Sequence, residues 1–268
     1  MRSQVLRPPY CYRWAGLIVG LVTFPVGLLV VLSLVANALS SPELMVGAPA
    51  RSWPSSDQET SAPPVVPVPA ELVRQTARTD RVVALTFDDG PDPENTPQVL
   101  ALLAQYHAVA TFCMIGSSAT RHPELVRAVV AAGMRLCDHT VSHDMGLTDR
   151  PEPQIEAEIV GGRADLLAAA GADVPIDYFR APGGRWSDPM QQIAARHGMR
   201  PLAWSVDPRD WARPGVAHIV TTVQQQVQPG AVILLHDGGK GRDQTVAALG
   251  ELLPWFAGQG YQFDVPGR

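Results

Sequence analysis

The chain has 268 residues, of which 46% are hydrophobic and 18% charged, enough apolar material for one large domain or two small ones. Its formal net charge at pH 7 is −5. This acidic balance argues against a nucleic-acid partner, because nucleic-acid-binding proteins usually carry a basic face.

The first 39 residues predict a segment that enters a membrane. Residues 1–13 contain three arginines and no acidic residue, and residues 14–39 are uncharged and rich in Leu, Val and Ile. This stretch exceeds the roughly 20 apolar residues that span a bilayer, and the positive charge ahead of it favours a cytoplasmic N-terminus. We therefore expect a single-pass helix in the cell membrane, with the chain after residue 40 outside.

A cleaved signal peptide is the alternative interpretation of this segment. Ala36-Asn37-Ala38 fits an A-x-A cleavage site, and the mature protein would then be secreted after cleavage near Ala38. Both interpretations export the rest of the chain. Residues 40–80, which follow, are rich in Pro and Ser, and this composition favours an extended spacer without a fold of its own.

Residues 81–268 alternate between short apolar runs and Ala/Leu-rich segments with helical spacing, which predicts one α/β domain. The runs typical of strands are 82–87, 110–116, 134–139, 177–181, 201–206, 231–236 and 261–265. The segments typical of helices are 97–106, 121–132, 154–170, 188–198, 215–227 and 243–258. Parallel strands with right-handed crossovers fit this order. Seven strands agree with a barrel one strand short of the usual eight or with an open doubly wound sheet, and periodicity leaves both possible.

Two of the three cysteines fall in successive predicted strands. Cys113 and Cys137 would lie outside the cell, where disulfides persist, whereas Cys11 would lie in the cytoplasm. A disulfide between Cys113 and Cys137 and a pair of free thiols are both compatible with the sequence.

Ionisable residues stand at or just after the ends of five predicted strands. They are Asp88 and Asp89, His139 and His143, Arg180, Asp207 and Asp210, and His236. Parallel α/β proteins form their sites at the carboxyl ends of the strands. We therefore expect these side chains to share one face of the sheet.

Two histidines and one carboxylate form a candidate metal site. The spacing of His139 and His143 can bring both rings to one side of a helical turn. With one of Asp88 and Asp89 they supply three protein ligands and leave a position for water, as catalytic zinc sites do. The adjacent carboxylates would then divide the work, because one binds the cation and the other accepts the proton of the water.

The remaining residues suit acid catalysis and sugar binding. His236 follows an apolar strand and titrates in the range needed to protonate a leaving amine. An Asp from residues 207–211 could orient its ring, and Arg180 could fix the base by a bidentate contact. Trp211 is a candidate for stacking on a sugar ring, whereas Trp204 falls in a predicted strand and is expected in the core.

Five segments, in chain order, carry a family likeness. They are 86–91 (TFDDGP), 139–143 (HTVSH), 180–184 (RAPGG), 207–211 (DPRDW) and 235–237 (LHD). The chain resembles the polysaccharide deacetylases of carbohydrate esterase family 4 over roughly residues 80–266. This resemblance implies a distorted (β/α)7 barrel and the metal-assisted removal of acetyl groups from N-acetylated sugar polymers, such as peptidoglycan or chitin-like N-acetylglucosamine chains.

The resemblance also implies a ligand set. Asp89, His139 and His143 would bind a divalent metal, most often zinc. Asp88 would be the base that activates the metal-bound water, and Arg180 would hold it.

His236 would protonate the leaving amine, and Asp210 would tune His236. Pro182, Gly183 and Trp211 would contact the substrate. The chain departs from the family pattern where Gly183 replaces a usual aromatic residue, which leaves the sugar preference open. It departs again at Asp138, where Asn is frequent, and this carboxylate could tighten the metal site or face solvent.

Other functions of the same fold remain possible from the sequence. They are an esterase that removes O-acetyl groups from xylan-type chains, an amide hydrolase that acts on a non-sugar substrate, and a wall-binding pseudoenzyme. The sequence leaves the oligomeric state open.

Overall fold

The computed structural model describes residues 66–78 and 80–267. The predicted cytoplasmic segment, the predicted membrane helix and most of the spacer therefore lie outside the described residues. In the part of the chain that the structure describes, none of the helices combines the length and apolar composition of a membrane span.

Strands and helices alternate as the sequence predicts. The strands are β1 (Val82–Asp88), β2 (Ala110–Met114), β3 (Arg135–Asp138), β4 (Ile176–Phe179), β5 (Arg200–Pro201), β6 (Ala231–His236) and β7 (Gln262–Phe263). The helices are α1 (Asn95–Gln105), α2 (Gly116–Arg121), α3 (Pro123–Ala131), α4 (Glu152–Ala170), α5 (Asp188–Arg196), α6 (Val216–Gln226) and α7 (Asp243–Gly258).

The predicted helix over 121–132 corresponds to α3, whereas the short helix α2 before it was not predicted. The proline at the start of α3 explains why the two helices are separate. His122 has a non-helical backbone with φ −132° and ψ 56°, and Pro123 is the first residue of α3. A proline disfavours the helical conformation of the residue before it but fits the first turn of a new helix. The chain therefore ends α2 and starts again.

All the strand pairs are parallel, and the hydrogen-bonded order is β5-β4-β3-β2-β1-β6. β7 pairs with Val82 and Val83, at the start of β1. The two ends of this path meet where Val206, after β5, bridges Ile233 of β6. The result is a curled parallel half-barrel, in which an isolated bridge rather than a full strand pair joins the two ends.

The end of the predicted spacer takes part in this fold. Val73 bridges Leu202, and Gln75 bridges Ala231. The described end of the spacer is therefore attached to the sheet directly before β1 begins.

The two faces of the sheet bury different side chains. Along β1, Val83, Leu85 and Phe87 belong to the large core beneath the helices, whereas Ala84 belongs to a small inner cluster. The other buried members of the inner cluster are Cys113, Cys137, Tyr178, Leu202 and Val232. Successive side chains of a strand alternate between faces, so the inner positions recur every second residue.

The inner cluster contains a disulfide. Cys113 and Cys137 are directly opposite each other in the β2–β3 register and are bonded. The structure therefore selects the disulfide from the two possibilities that the sequence left open. Because of the same alternation, the residues at the carboxyl ends of three strands, Asp88, Arg180 and His236, also lie on the inner face.

Candidate active site

A cavity of about 480 Å³ opens at the carboxyl ends of the strands. The residues that line it are Asp88, Asp89, His139, His143, Met145, Gly183, Gly184, Trp204, Asp207, Trp211, Leu234, His236 and Arg242. The structure therefore brings together most of the residues singled out in the sequence. Arg180 and Asp210 lie behind the lining and touch Asp88 and His236 respectively.

The carboxylate of Asp89 lies between the two histidines. Its Oδ1 is 3.6 Å from Nε2 of His139 and 3.4 Å from Nε2 of His143, and these three atoms lie within 4.8 Å of one another. Both distances exceed those of a normal hydrogen bond, and the buried Oδ1 has no hydrogen-bond partner. A divalent cation would satisfy all three atoms at once. The donor set therefore fits a metal such as zinc.

The ring of His139 is oriented as a metal-binding histidine requires. Its Nδ1 is 2.7 Å from the backbone carbonyl oxygen of Arg180. A carbonyl only accepts, so Nδ1 carries the proton and Nε2 keeps its lone pair toward Asp89. Burial opposes a charge on His139, but the carboxylates of Asp88 and Asp89 outweigh it and raise the pKa of the ring overall.

The other two candidate ligands are biased toward the protonation states that bind cations. Burial and the neighbouring His139 lower the pKa of His143, which favours its neutral form. Burial of Asp89 disfavours its charge, but the close polar contact with the His139 ring and the positive charges of the histidines hold its pKa well below the usual range. An ionised carboxylate and a neutral imidazole are the forms that ligate a metal.

The turn that carries the histidines has an uncommon backbone. Thr140 and His143 have φ values of 66° and 57°, in the left-handed region that non-glycine residues rarely adopt. Asp138 stabilises this turn, because its Oδ1 accepts a hydrogen bond from the amide of Thr140 at 3.0 Å. Asp138 is fully buried and packs beside Gly162 of α4. It therefore neither faces solvent nor joins the candidate ligand set.

Asp88 lies against Arg180, below the candidate metal site. Nη1 of Arg180 donates to Oδ1 of Asp88 at 2.5 Å and to Oγ1 of Thr86 at 3.0 Å, and its Nε donates to the carbonyl of Leu202 at 3.0 Å. The guanidinium is fully buried but well partnered, as a buried charge must be. Oδ2 of Asp88 is turned to the other side, 3.7 Å from Nε2 of His139.

His236 is paired with Asp210 across the cavity. Its Nδ1 lies 2.8 Å from Oδ1 of Asp210, while Oδ2 accepts from the His236 amide at 2.9 Å and from Oγ1 of Thr245 at 2.7 Å. Burial alone would lower the pKa of His236, but the hydrogen bond with Asp210 and the surrounding carboxylates raise it. His236 and Asp88 are direct neighbours in the β1–β6 register. The imidazole of His236 and the carboxyl group of Asp88 thus face the same cavity.

Only some of the residues predicted to contact the substrate line the cavity. Trp211 is 46% exposed at the edge of the cavity, with the guanidinium of Arg209 5.0 Å from its ring. Gly183 also lines the cavity, whereas Pro182 is buried and does not. Asp207, the first Asp of residues 207–211, also lines the cavity, and burial raises its pKa.

The cavity also contains residues that the sequence did not predict for the site, among them Met145, Trp204 and Arg242. Met145 stands in the loop after the histidine turn, and Trp204, expected in the core, is half-buried and lies beside Gly184. Arg242 places Nη2 3.8 Å from Oδ2 of Asp89 and donates through Nε to the carbonyl of Gly238 at 2.6 Å. None of these three residues belongs to the segments that place ionisable residues at the ends of predicted strands. The sequence pattern therefore did not indicate them.

A second cavity of about 520 Å³ adjoins the first and shares Asp89 and His143 with it. Its other lining residues are largely polar and include Asp92, Arg121 and Lys240. The candidate metal site therefore lies between two recesses, and a chain-like ligand could extend past it.

The comparisons with known proteins agree with this geometry. A family model described as polysaccharide deacetylase matches residues 75–202. The chain is 43% identical over 186 residues to a peptidoglycan-N-acetylglucosamine deacetylase of Bacillus cereus, covering 69% of this chain and 85% of the relative. It is 42% identical over 191 residues to a chitooligosaccharide deacetylase of Sinorhizobium fredii, covering 67% and 87%.

The fold is also found in solved structures. A family 4 carbohydrate esterase from Streptomyces lividans in complex with acetate has a TM-score of 0.63 to this chain. It is 31% identical, and the match covers 70% of this chain and 94% of the esterase. The curled parallel sheet, the strand-end residues and these matches together show that the chain belongs to the polysaccharide deacetylases of carbohydrate esterase family 4.

Proposed function

We propose that this protein is a metal-dependent hydrolase that removes acetyl groups from N-acetylglucosamine units of peptidoglycan or chitin-like polymers. The observation that carries the proposal is the arrangement of two opposed pairs, Arg180–Asp88 and Asp210–His236, around Asp89, His139 and His143 in one cavity. The names of the relatives support the substrate class, since they are deacetylases of peptidoglycan and of chitooligosaccharides.

Asp89, His139 and His143 would hold the cation, for which zinc suits the two imidazoles and the carboxylate. When bound, such a cation supplies Lewis-acid stabilisation of the acetyl oxygen and a nucleophilic water at neutral pH. The remaining work falls to the two pairs that flank it.

Asp88 would act as the general base. Its Oδ1 is held in one orientation by Arg180, and Oδ2, on the other side, would accept a proton from the attacking water. His236 would act as the general acid. It donates a proton to the sugar nitrogen as the bond from that nitrogen to the acetyl carbon breaks, and acetate and a free amine result.

Acetate release tests this function directly. The full-length chain in detergent, supplied with Zn²⁺, should release acetate from N-acetylated chitotetraose or from peptidoglycan, and much less from acetylxylan. Removal of metal with a chelator should abolish release, and added Zn²⁺ should restore it. Release from acetylxylan alone would favour the O-acetyl esterase, and no release from any substrate would favour the pseudoenzyme.

We further propose that the N-terminal segment exports this domain and holds it at the outer face of the membrane. The uncharged stretch 14–39, preceded by three arginines, supports this proposal. Mass spectrometry of the mature N-terminus would distinguish the anchor from a signal peptide. A mature chain that starts after Ala38 would contradict anchoring, and a domain protected from protease added to intact cells would contradict export.

A further inference from the structure

The cavity has an apolar edge formed by Met145 and Trp211. They are 47% and 46% exposed, and both line the cavity. Among the described residues the other large hydrophobic side chain with high exposure is Val66, which is outside the cavity. Exposed apolar side chains concentrated at one recess indicate a ligand contact.

The side chain of Met145 lies over Gly183. The backbone of Gly183 has φ 58°, and a Cβ added there would overlap Cε of Met145 and approach its Sδ to 3.0 Å. The methionine thioether therefore fills the space that a side chain on residue 183 would enter. The glycine and the methionine together form one wall of the cavity.

The backbone of Met145 is fixed to the segment that carries Gly183. Nη1 of Arg185 donates to the carbonyl of Met145 at 2.9 Å. On the other side, Oδ1 of Asp144 accepts from the amide of Gly146 at 2.8 Å, and its Oδ2 accepts from Nε of Arg150 at 3.0 Å. These contacts fix the main chain of the loop. The backbone of Met145 is therefore well defined, and its flexible side chain faces the cavity.

We propose that Met145 is a specificity-determining residue, whose thioether packs on the apolar face of a pyranose ring while Trp211 supplies the second apolar contact. The proposal rests on the proposed function, because it names the contact by which the same site holds its sugar. A thioether is unbranched and polarisable, so it adapts to the uneven C–H surface of a sugar. Met145 has no titratable group and acts on binding.

Steady-state kinetics of the full-length, zinc-loaded chain on N-acetylated chitotetraose test the proposal. Met145→Ala should raise KM by about fivefold, the loss expected when about one buried methylene group is removed, with a smaller change in kcat. Met145→Leu should restore most of the apolar contact, whereas Met145→Gln, of similar length but polar, should resemble the alanine variant. Val66→Ala, an exposed apolar residue outside the cavity, is the matched control.

A binding measurement separates this inference from the proposed function. In an Asp88→Asn background, calorimetric titration with chitotetraose should show the same fivefold weakening for Met145→Ala. An unchanged Kd and KM would overturn the role of Met145 even if acetate is released. If the wild-type chain releases no acetate, the proposed function fails and the titration alone decides whether Met145 contacts the sugar.

The contact with Gly183 supplies an independent check. Gly183→Ala should displace the Met145 side chain and raise KM, but it should add little when Met145 is already alanine. Such non-additivity would support one shared wall. Full additivity of the two substitutions would contradict it.

Discussion

The floor and the edge of the cavity are built in different ways. Asp88 and His236 form the floor, and Arg180 and Asp210 support them from behind. All four are buried, and the hydrogen bonds that join each pair are 2.5 Å and 2.8–2.9 Å long. Met145 and Trp211 form the edge and are each nearly half exposed.

This difference predicts different consequences of substitution. A buried network in which each group is partnered has one arrangement, and losing a member leaves a charge unsatisfied. Exposed apolar side chains only add contact area. Changes in the floor should therefore alter kcat and its pH dependence, whereas changes at the edge should alter KM.

The largest effect is expected for Asp88→Asn. The amide cannot accept the proton of the attacking water, so kcat on chitotetraose should fall by about 10³-fold. Because Asp89, His139 and His143 are intact, the bound zinc, measured by atomic absorption after dialysis, should stay at one ion per chain.

His139→Ala is the matched variant, because it removes a candidate ligand and should lose both metal and activity. If the two variants lose metal equally, Asp88 is a ligand and the division between base and ligand is wrong.

The disulfide beneath the floor should matter for stability. Cys113 and Cys137 close a loop with a sequence separation of 24, so replacing both by alanine should lower the free energy of unfolding by about 3 kcal/mol in a urea titration. Cys11→Ala is the control and should leave that free energy unchanged. In the Cys11→Ala chain, unfolded without reductant, thiol titration should find no free thiol. Two thiols would contradict the bond.

Asp210→Asn should lower kcat by about 10²-fold and shift the pH profile. Asp210 raises the pKa of His236, and His236 must carry its proton to donate it. Without that charge the pKa falls, so the alkaline limb of the kcat profile should move to lower pH. Thr245→Val removes a hydrogen bond to Asp210 but not its charge, and should cause a smaller shift. An alkaline limb that stays in place would exclude His236 as the acid.

The sheet could be predicted from the sequence because its strands are short apolar runs separated by helical segments. All seven strands lie within or overlap the predicted ranges. Pro123 indicates the start of α3 and hence the break after α2. The closure could not be predicted. It depends on Val206 meeting Ile233, a long-range contact that periodicity does not encode.

The floor of the site was also accessible from the sequence, whereas the edge was not. Asp88 and His236 are the last residues of two strands. Side chains alternate between the two faces of a strand, so the positions of these residues bring both side chains to the same face. Trp204 was expected in a strand, but β5 ends at Pro201 and the chain then turns toward the cavity. Met145 is positioned by the hydrogen bond between its carbonyl and Arg185, a residue distant in the sequence.

The smallest effect is expected at the edge itself, for Trp211→Ala. The loss of one stacking surface should raise KM for chitotetraose by about fivefold, because an aromatic contact is worth about 1 kcal/mol beyond its area. Trp211→Phe should recover part of this loss. Arg242 donates to the backbone carbonyl of Trp211, at 3.3 Å, and this carbonyl remains after the substitution. The contact between Arg242 and Asp89 should therefore survive. The pH profile of kcat should therefore keep its alkaline limb. A shifted limb would mean that the edge acts on the charge of His236, and that floor and edge are not separable.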